Sequence, residues 1–278
     1  MATCYMDGRY APFSECLIPV TDMALQRGVA VFESIRIYDR KLFAMEMHLG
    51  RLAQSAAGAG IEATEILAAL PDVIRGGLCA KDCPVDGLVK PYLTGGDINA
   101  RGRFPKPRFF VIFDEFKKTS EEERRAGAAL VPNLRERPFP LFKSTNYLFG
   151  LIPLATSADG THESIYMPDG EITESMTNNF FLCKEGRIIT APVGRVLDGV
   201  TRRVVIDLAC EDGITVEERC PLVSELKEAD EAFITGTVNE VLAVTRIGEQ
   251  KVGSGKPGRM TERLYRLFLD NVERRLTN

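Results

Sequence analysis

The chain has no excess of basic residues, no apolar run long enough to cross a bilayer, and only two histidines, His48 and His162. A net charge of −4 over 278 residues gives no electrostatic reason to expect a nucleic-acid or membrane partner. The first residues hold no signal-peptide apolar core. The seven cysteines are odd in number and scattered, in a chain too large to need stapling, so reduced thiols and a cytoplasmic protein are expected. Cys79 and Cys83 stand C-x3-C, but no second ligand pair follows and neither histidine is close in sequence, so no metal site is expected. Internal repeats and low-complexity segments are also lacking.

What is present is enough apolar content, 45%, for a core in one large domain or two ordinary ones. "AVFESIRIYD" (30–39) and "RKLFAMEMH" (40–48) read as two strands around Asp39-Arg40, the second passing into a helix. That helix carries an apolar stripe of Leu49, Leu52, Ala56 and Ala59, with His48, Arg51 and Ser55 on a different face. "GLVKPYL" and "RFFVIFDEF" read as further strands, and the polar stretch 117–127, "KKTSEEERRAG", as a linker. The predicted organisation is a smaller domain over 1–116 and a larger one over 128–278.

In the second part a helix is expected after Asn146, limited by Pro153. Hairpins are expected at Pro168-Asp169-Gly170 and at Glu185-Gly186. "DGVTRRVVIDLACEDG" predicts a helix with Val200, Val204 and Leu208 on one stripe and Gly213 as its stop. The last helix should turn Met260, Leu264, Phe268 and Val272 inward. Strands and helices mix without strict βαβ alternation, so the fold class read here is α+β in two domains.

One motif is a decoy. "GSGKPG" (253–258) matches G-x-G-x-x-G, but too little chain follows for a dinucleotide fold, and Pro257 stands where a P-loop needs Ser or Thr. Four features carry more. If 139–143 is extended, Phe139, Leu141 and Lys143 share a face, making Lys143 either a snorkelling lysine or a desolvated amine nucleophile. Glu174 shares a strand face with Ile172, so it needs a cation or donor, as an ordinary salt bridge or otherwise. "LDGVTRR" offers helix-start N–H groups at Val200 and Thr201, as simple capping or as an anion cradle. "ITGTVNE" sets two hydroxyls and several N–H groups in one turn. Together they are the parts that pyridoxal phosphate needs.

With these blocks in order, "VFESIRIYD", "HLGRL", "KSTNYL", "DGEITESMTNNFF", "LDGVTRRVVIDLA", "ADEAFITGTVNEV" and "VGSGKPGRMTERL", the chain resembles the class IV (fold type IV) pyridoxal-phosphate aminotransferases. That group contains branched-chain and D-amino-acid aminotransferases and 4-amino-4-deoxychorismate lyases. The resemblance implies a two-domain D-amino-acid-aminotransferase-like fold, pyridoxal 5'-phosphate as cofactor, and a homodimer. Lys143 matches the lysine that forms an imine with the cofactor and moves the proton at the substrate's α-carbon. Glu174 matches the carboxylate on the pyridine nitrogen, and Arg51 the arginine on the phosphate. Val200, Thr201 and Thr237 match the phosphate cradle, Leu197 the residue on the ring face, and Tyr147 the partner of the phenolic oxygen. Ser175 and Met176 depart from the family, which has Gly and a small residue there.

"FESIR", with Phe32, Ser34 and Arg36, resembles the branched-chain pattern, and Thr237-Val238 resembles the turn that receives the substrate carboxylate. "YLTGG" lacks the arginine of D-specific members. Arg27 and Lys90 are candidate carboxylate binders or surface charges. The implied activity is amino transfer from an apolar or branched-chain L-amino acid to a 2-oxo acid such as 2-oxoglutarate. D-amino-acid transamination or an aminodeoxychorismate-lyase reaction is the alternative.

Overall fold

The computed structural model describes residues 3–80, 82–158 and 160–277. The outermost residues of the two predicted domain ranges therefore lie outside the described residues. The chain divides into two compact units. One comprises Met1–Lys117, Phe142–Asn146 and Glu273–Asn278, and the other Lys118–Leu141 and Tyr147–Val272.

The first unit is an eight-stranded sheet with helices. Its elements are β1 (Thr3–Met6), β2 (Arg9–Pro12), α1 (Met23–Arg27), β3 (Ala30–Phe32), β4 (Ile35–Tyr38), β5 (Lys41–Phe43), α2 (Met45–Gly58), α3 (Thr64–Leu78), β6 (Gly87–Thr94) and β7 (Arg108–Asp114). A terminal strand, Leu276–Thr277, pairs antiparallel with β5, which brings the last residues into this unit.

The single strand expected over 30–39 is broken at Glu33-Ser34, and the reason lies across the sheet. β6 pairs with β3 through Tyr92–Thr94 and with β4 through Gly87–Val89. Between those stretches stands Pro91, which has no N–H to give, while its carbonyl accepts from the Glu33 N–H at 2.9 Å. Asp39 and Arg40 both take positive φ at the hairpin between β4 and β5. The core gathers Val31, Ile35, Ile37, Leu42, Leu52, Leu70, Ile74, Val89 and Phe113.

The second unit is also built on an eight-stranded sheet. Its elements are α4 (Glu121–Ala126), β8 (Ala128–Asn133), α5 (Leu148–Ala155), β9 (Glu163–Tyr166), β10 (Asn179–Lys184), β11 (Arg187–Thr190), α6 (Val200–Glu211), β12 (Val216–Glu218), β13 (Glu231–Gly236), β14 (Glu240–Ile247), β15 (Gln250–Lys251) and α7 (Arg259–Val272). The stretch 117–127 is not bare linker: Ser120 and Glu123 form a reciprocal capping box that starts α4. α6 starts and stops where its sequence says, with Gly213 at φ +76°. On α7, Leu264, Phe268 and Val272 are buried, but Met260 is only half-buried and Thr261 takes the inner place. The decoy "GSGKPG" is a turn with Gly253 and Gly255 at positive φ.

Candidate active site

Lys143 lies in the first unit, but not on a buried strand face. Phe139 has φ +53°, and Phe139 and Leu141 are 63% and 48% exposed, so the expected extended face does not form. Residues 143–145 instead lie along the edge of β3. The Phe32 N–H donates to the Lys143 carbonyl at 2.9 Å, and the Thr145 N–H to the Ala30 carbonyl at 3.1 Å. The Lys143 N–H donates to the Ser55 hydroxyl of α2 at 3.1 Å. The amine stands 4.7 Å from the Phe32 ring centroid. Phe32 in turn stacks on Tyr92, and Tyr92 on Phe110, at 5.1 and 4.8 Å.

The polar face of α2 is buried along with its apolar stripe: His48, Arg51 and Ser55 are all inside. What makes this tolerable is Glu33, fully buried at the β3–β4 break. Arg51 donates to it through Nε at 2.6 Å and Nη2 at 2.8 Å, and His48 Nδ1 stands 2.7 Å from its Oε2. Burial works to raise the Glu33 carboxyl, yet Arg51 and His48 hold it well below the usual carboxylate range. Burial pushes the His48 imidazole down, with Arg51 and Lys143 adding to the effect against the pull of Glu33. Both shifts act the same way: near pH 7 they favour an uncharged His48 ring beside an ionised Glu33. Glu33 went unread in the sequence, although a carboxylate inside "AVFESIRI" is the same signal that picked out Glu174.

The remaining first-unit candidates do not join this cluster. Arg36 is buried, donates through Nη1 to the Ile37 and Gly87 carbonyls, and lies over the Tyr38 and Phe116 rings. Lys90 pairs with Asp114 at 2.9 Å across β6 and β7. Arg27 ends α1 in an exposed position and donates to the Gln26 carbonyl.

In the second unit, Glu174 is 2% exposed and surrounded by donors. Arg137 Nη1 reaches its Oε1 at 2.8 Å, the Leu197 N–H points at both oxygens at 3.2 Å, and Asn179 Nδ2 stands 3.3 Å from Oε2. Burial works to lower the Arg137 pKa, but Glu174 and the Tyr147 phenol more than offset it. Tyr147 is half-buried at the start of α5. Arg137 and Asn179 carry no sequence signal of their own, since neither stands in an apolar alternation.

Val200 and Thr201 open α6, and both are buried. No side chain caps this helix start. First-turn N–H groups have no intrahelical acceptor, so a buried, uncapped start is a donor set suited to an anion such as a phosphate. Arg202, buried behind them, ties α6 to the Ala191 carbonyl at 2.8 Å and to Glu218 at 2.7 Å. Thr237 and Val238 sit in the turn between β13 and β14. Gly236 lies so close to Asn178 that a Cβ would stand 2.2 Å from its Oδ1. Asn178 also accepts from Asn239 at 3.1 Å and donates to the buried Glu163, so the turn rests on an amide–carboxylate network. A donor-rich turn, an anion-seeking helix start and a buried carboxylate in one unit fit pyridoxal phosphate.

Residues 30–247 match the family described as amino-transferase class IV. A D-alanine aminotransferase of Bacillus licheniformis is 32% identical, the match covering 96% of this chain and 95% of that protein. A putative branched-chain-amino-acid aminotransferase of Methanocaldococcus jannaschii is 31% identical over 96% of this chain and 95% of its own length. Among solved structures, a branched-chain amino acid aminotransferase of T.th. with pyridoxamine 5'-phosphate superposes with a TM-score of 0.84. It is 25% identical, and the match covers 99% of this chain and 97% of that one. From the order of its motifs, its two sheets and these matches, the chain belongs to the class IV aminotransferase family.

Proposed function

We propose that this class IV, pyridoxal-phosphate-dependent aminotransferase moves an amino group from an apolar, branched-chain type L-amino acid to a 2-oxo acid such as 2-oxoglutarate. Family membership carries the reaction class and the cofactor. The observation that carries the cofactor's placement is the buried, uncapped start of α6, where Val200 and Thr201 present N–H groups without a capping side chain.

When bound, pyridoxal phosphate supplies an electron sink for charge developing at the amino acid's α-carbon. Lys143 would hold the cofactor through its aldehyde and serve as the base and acid at that carbon. Glu174 would receive the ring nitrogen, and its cluster of donors keeps the carboxylate oriented for that bond. Arg51, held by Glu33, is read as a phosphate ligand on the first unit. On the second unit Val200, Thr201 and Thr237 are read as phosphate donors, Leu197 as the cover of a ring face and Tyr147 as the partner of the phenolic oxygen. The stacked rings of Phe32, Tyr92 and Phe110 beside the Lys143 amine support an apolar substrate side chain. Thr237 and Val238 would receive the substrate carboxylate. Arg36 is held by backbone carbonyls and Lys90 by Asp114, which leaves the substrate role of either without support from its contacts. The exposed Arg27 would then meet substrate or a second subunit.

A second reading, transamination of D-amino acids, is favoured by the 32% identity to a D-alanine aminotransferase. Mixing the cofactor-loaded protein with L-leucine, D-alanine, D-glutamate or aminodeoxychorismate and following the cofactor's visible absorption separates the readings. Bleaching by L-leucine is expected; bleaching by D-amino acids alone overturns the substrate assignment. Lys143→Ala should bind the cofactor without the coloured species and lose amino transfer. Full-rate transamination by that variant would sink the role of Lys143.

We further read the protein as a homodimer of the cytoplasm. Leu148, Phe149, Leu151 and Ile152 leave α5 with an exposed apolar surface that an isolated chain would have to solvate. No described helix is long and apolar enough to cross a membrane, and all seven cysteines are free thiols, as suits a reducing compartment.

A further inference from the structure

One side-chain amide lies at the crossing of several features of the second unit. Asn179, the first residue of β10, donates through Nδ2 to the Leu197 carbonyl at 2.8 Å and stands 3.3 Å from Glu174 Oε2. The Leu197 N–H returns to both Glu174 oxygens, which closes a ring of hydrogen bonds through residues 174, 179 and 197. The other end of the same amide faces Gly199, the residue that caps α6. A Cβ on Gly199 would stand 1.9 Å from Asn179 Oδ1, far inside contact distance. Gly199 has φ −67°, which any residue adopts, so glycine is needed here for the approach of the amide and not for the backbone angle. Asn179 is 5% exposed, and none of this geometry depends on bulk water.

We propose that Asn179 is a positioning residue that locks the Glu174 carboxylate and the N-terminal turn of α6 into one rigid frame. The ring-binding and phosphate-binding ends of the cofactor site would then be set together by one amide that reaches Glu174 at one end and Gly199 at the other. The inference rests on the cofactor roles proposed for Glu174, Val200 and Thr201. Without the Asn179 amide, Leu197 loses the bond on its carbonyl and the carboxylate loses a donor, so both ends gain freedom.

The test uses protein freed of cofactor and two partial ligands measured by calorimetry. Pyridoxal, which lacks the phosphate, reports on the ring end, and inorganic phosphate reports on the helix end. Asn179→Ala should weaken binding of both ligands by about tenfold or more, the size expected for losing a bond to a charged acceptor. Glu174→Gln should weaken pyridoxal alone. In the cofactor-loaded protein, Asn179→Ala should also move the pH at which the visible absorption band titrates, which a general loss of stability would not do.

Gly199→Ala attacks the same contact from the other side and keeps the inference testable if Asn179→Ala folds poorly. It should reproduce the double loss in the wild-type background. In an Asn179→Ala background it should add little, because its main obstacle, Oδ1, is gone. Loss of affinity for only one ligand, or equal cost of Gly199→Ala in both backgrounds, overturns the frame. Wild-type protein that binds neither pyridoxal nor phosphate overturns instead the cofactor assignment on which it rests.

Discussion

At the scale of single residues, the buried set of Glu33, His48 and Arg51 gives stability a definite pH dependence. Glu33 is fully buried and its pKa is depressed, so its contribution is present above the unfolded value near 4.3 and is lost as pH falls toward the folded value. His48 is also depressed, but as a base. The unfolded chain takes up a proton near pH 6.5 that the folded chain refuses, so stability declines as pH falls below about 6.5. Thermal melting should therefore fall from pH 7.5 to pH 5.5, and His48→Gln should flatten that slope. Proton NMR is a direct check, because only two imidazoles exist: the signal that His48→Gln removes should titrate below the usual histidine range. Glu33→Gln leaves a buried guanidinium without its counter-charge and should cost about 3–5 kcal/mol at pH 7. A melting midpoint unchanged by Glu33→Gln would contradict the arrangement. Of these residues, Arg51 and His48 were legible from helical spacing. Their partner was not, because Glu33 sits fifteen or more residues away in the chain and is turned inward only by the strand break opposite Pro91.

At the scale of elements, α2 positions the lysine through two contacts of different kinds. Ser55 accepts the Lys143 N–H, and Gly58 leaves room for the neighbouring Phe142 ring, which would stand 2.0 Å from an added Cβ. Gly58→Ala is expected to displace Phe142 and with it Lys143, lowering the turnover rate by about tenfold to a hundredfold. Gly50 lies on the same helix with nothing within 4 Å of an added Cβ, so Gly50→Ala should gain about 0.5–1 kcal/mol and keep full activity. Equal rates in the two variants would remove α2 from the positioning of Lys143. Most helices and hairpins here follow from periodicity and turn residues: α6 from its stripe and Gly213, the β10–β11 hairpin from Glu185-Gly186. The segment around Lys143 did not follow, because its irregular backbone exchanges hydrogen bonds with β3 and donates one to Ser55 of α2 instead of forming a regular ladder.

At the scale of the molecule, the apolar outer surface of α5 calls for a partner surface, and a second copy of the chain is the one proposed. Leu148 and Ile152 are one turn apart on that helix and are 66% and 46% exposed. The double variant Leu148→Asp/Ile152→Asp should shift sedimentation from dimer to monomer, since two carboxylates cannot be desolvated in an apolar interface. Wild-type protein that sediments as a monomer would refute the assembly outright. The sequence by itself determined the mixed strand-and-helix class and the family's ordered motifs, and it singled out Lys143, Glu174, Arg51 and two donor-rich turns as candidates. The class is read from local periodicity and spacing, which the chain carries without folding, while the roles of those candidates are what the family resemblance implies. Only the tertiary structure decided that residues 142–146 and 273–278 join the first unit, that Glu33 holds Arg51, and that Arg137 and Asn179 surround Glu174. Asn179 stands only five residues from Glu174, but the others are contacts between segments distant in sequence, set by strand pairing and burial, and no local pattern encodes which distant residue will supply the missing charge or donor.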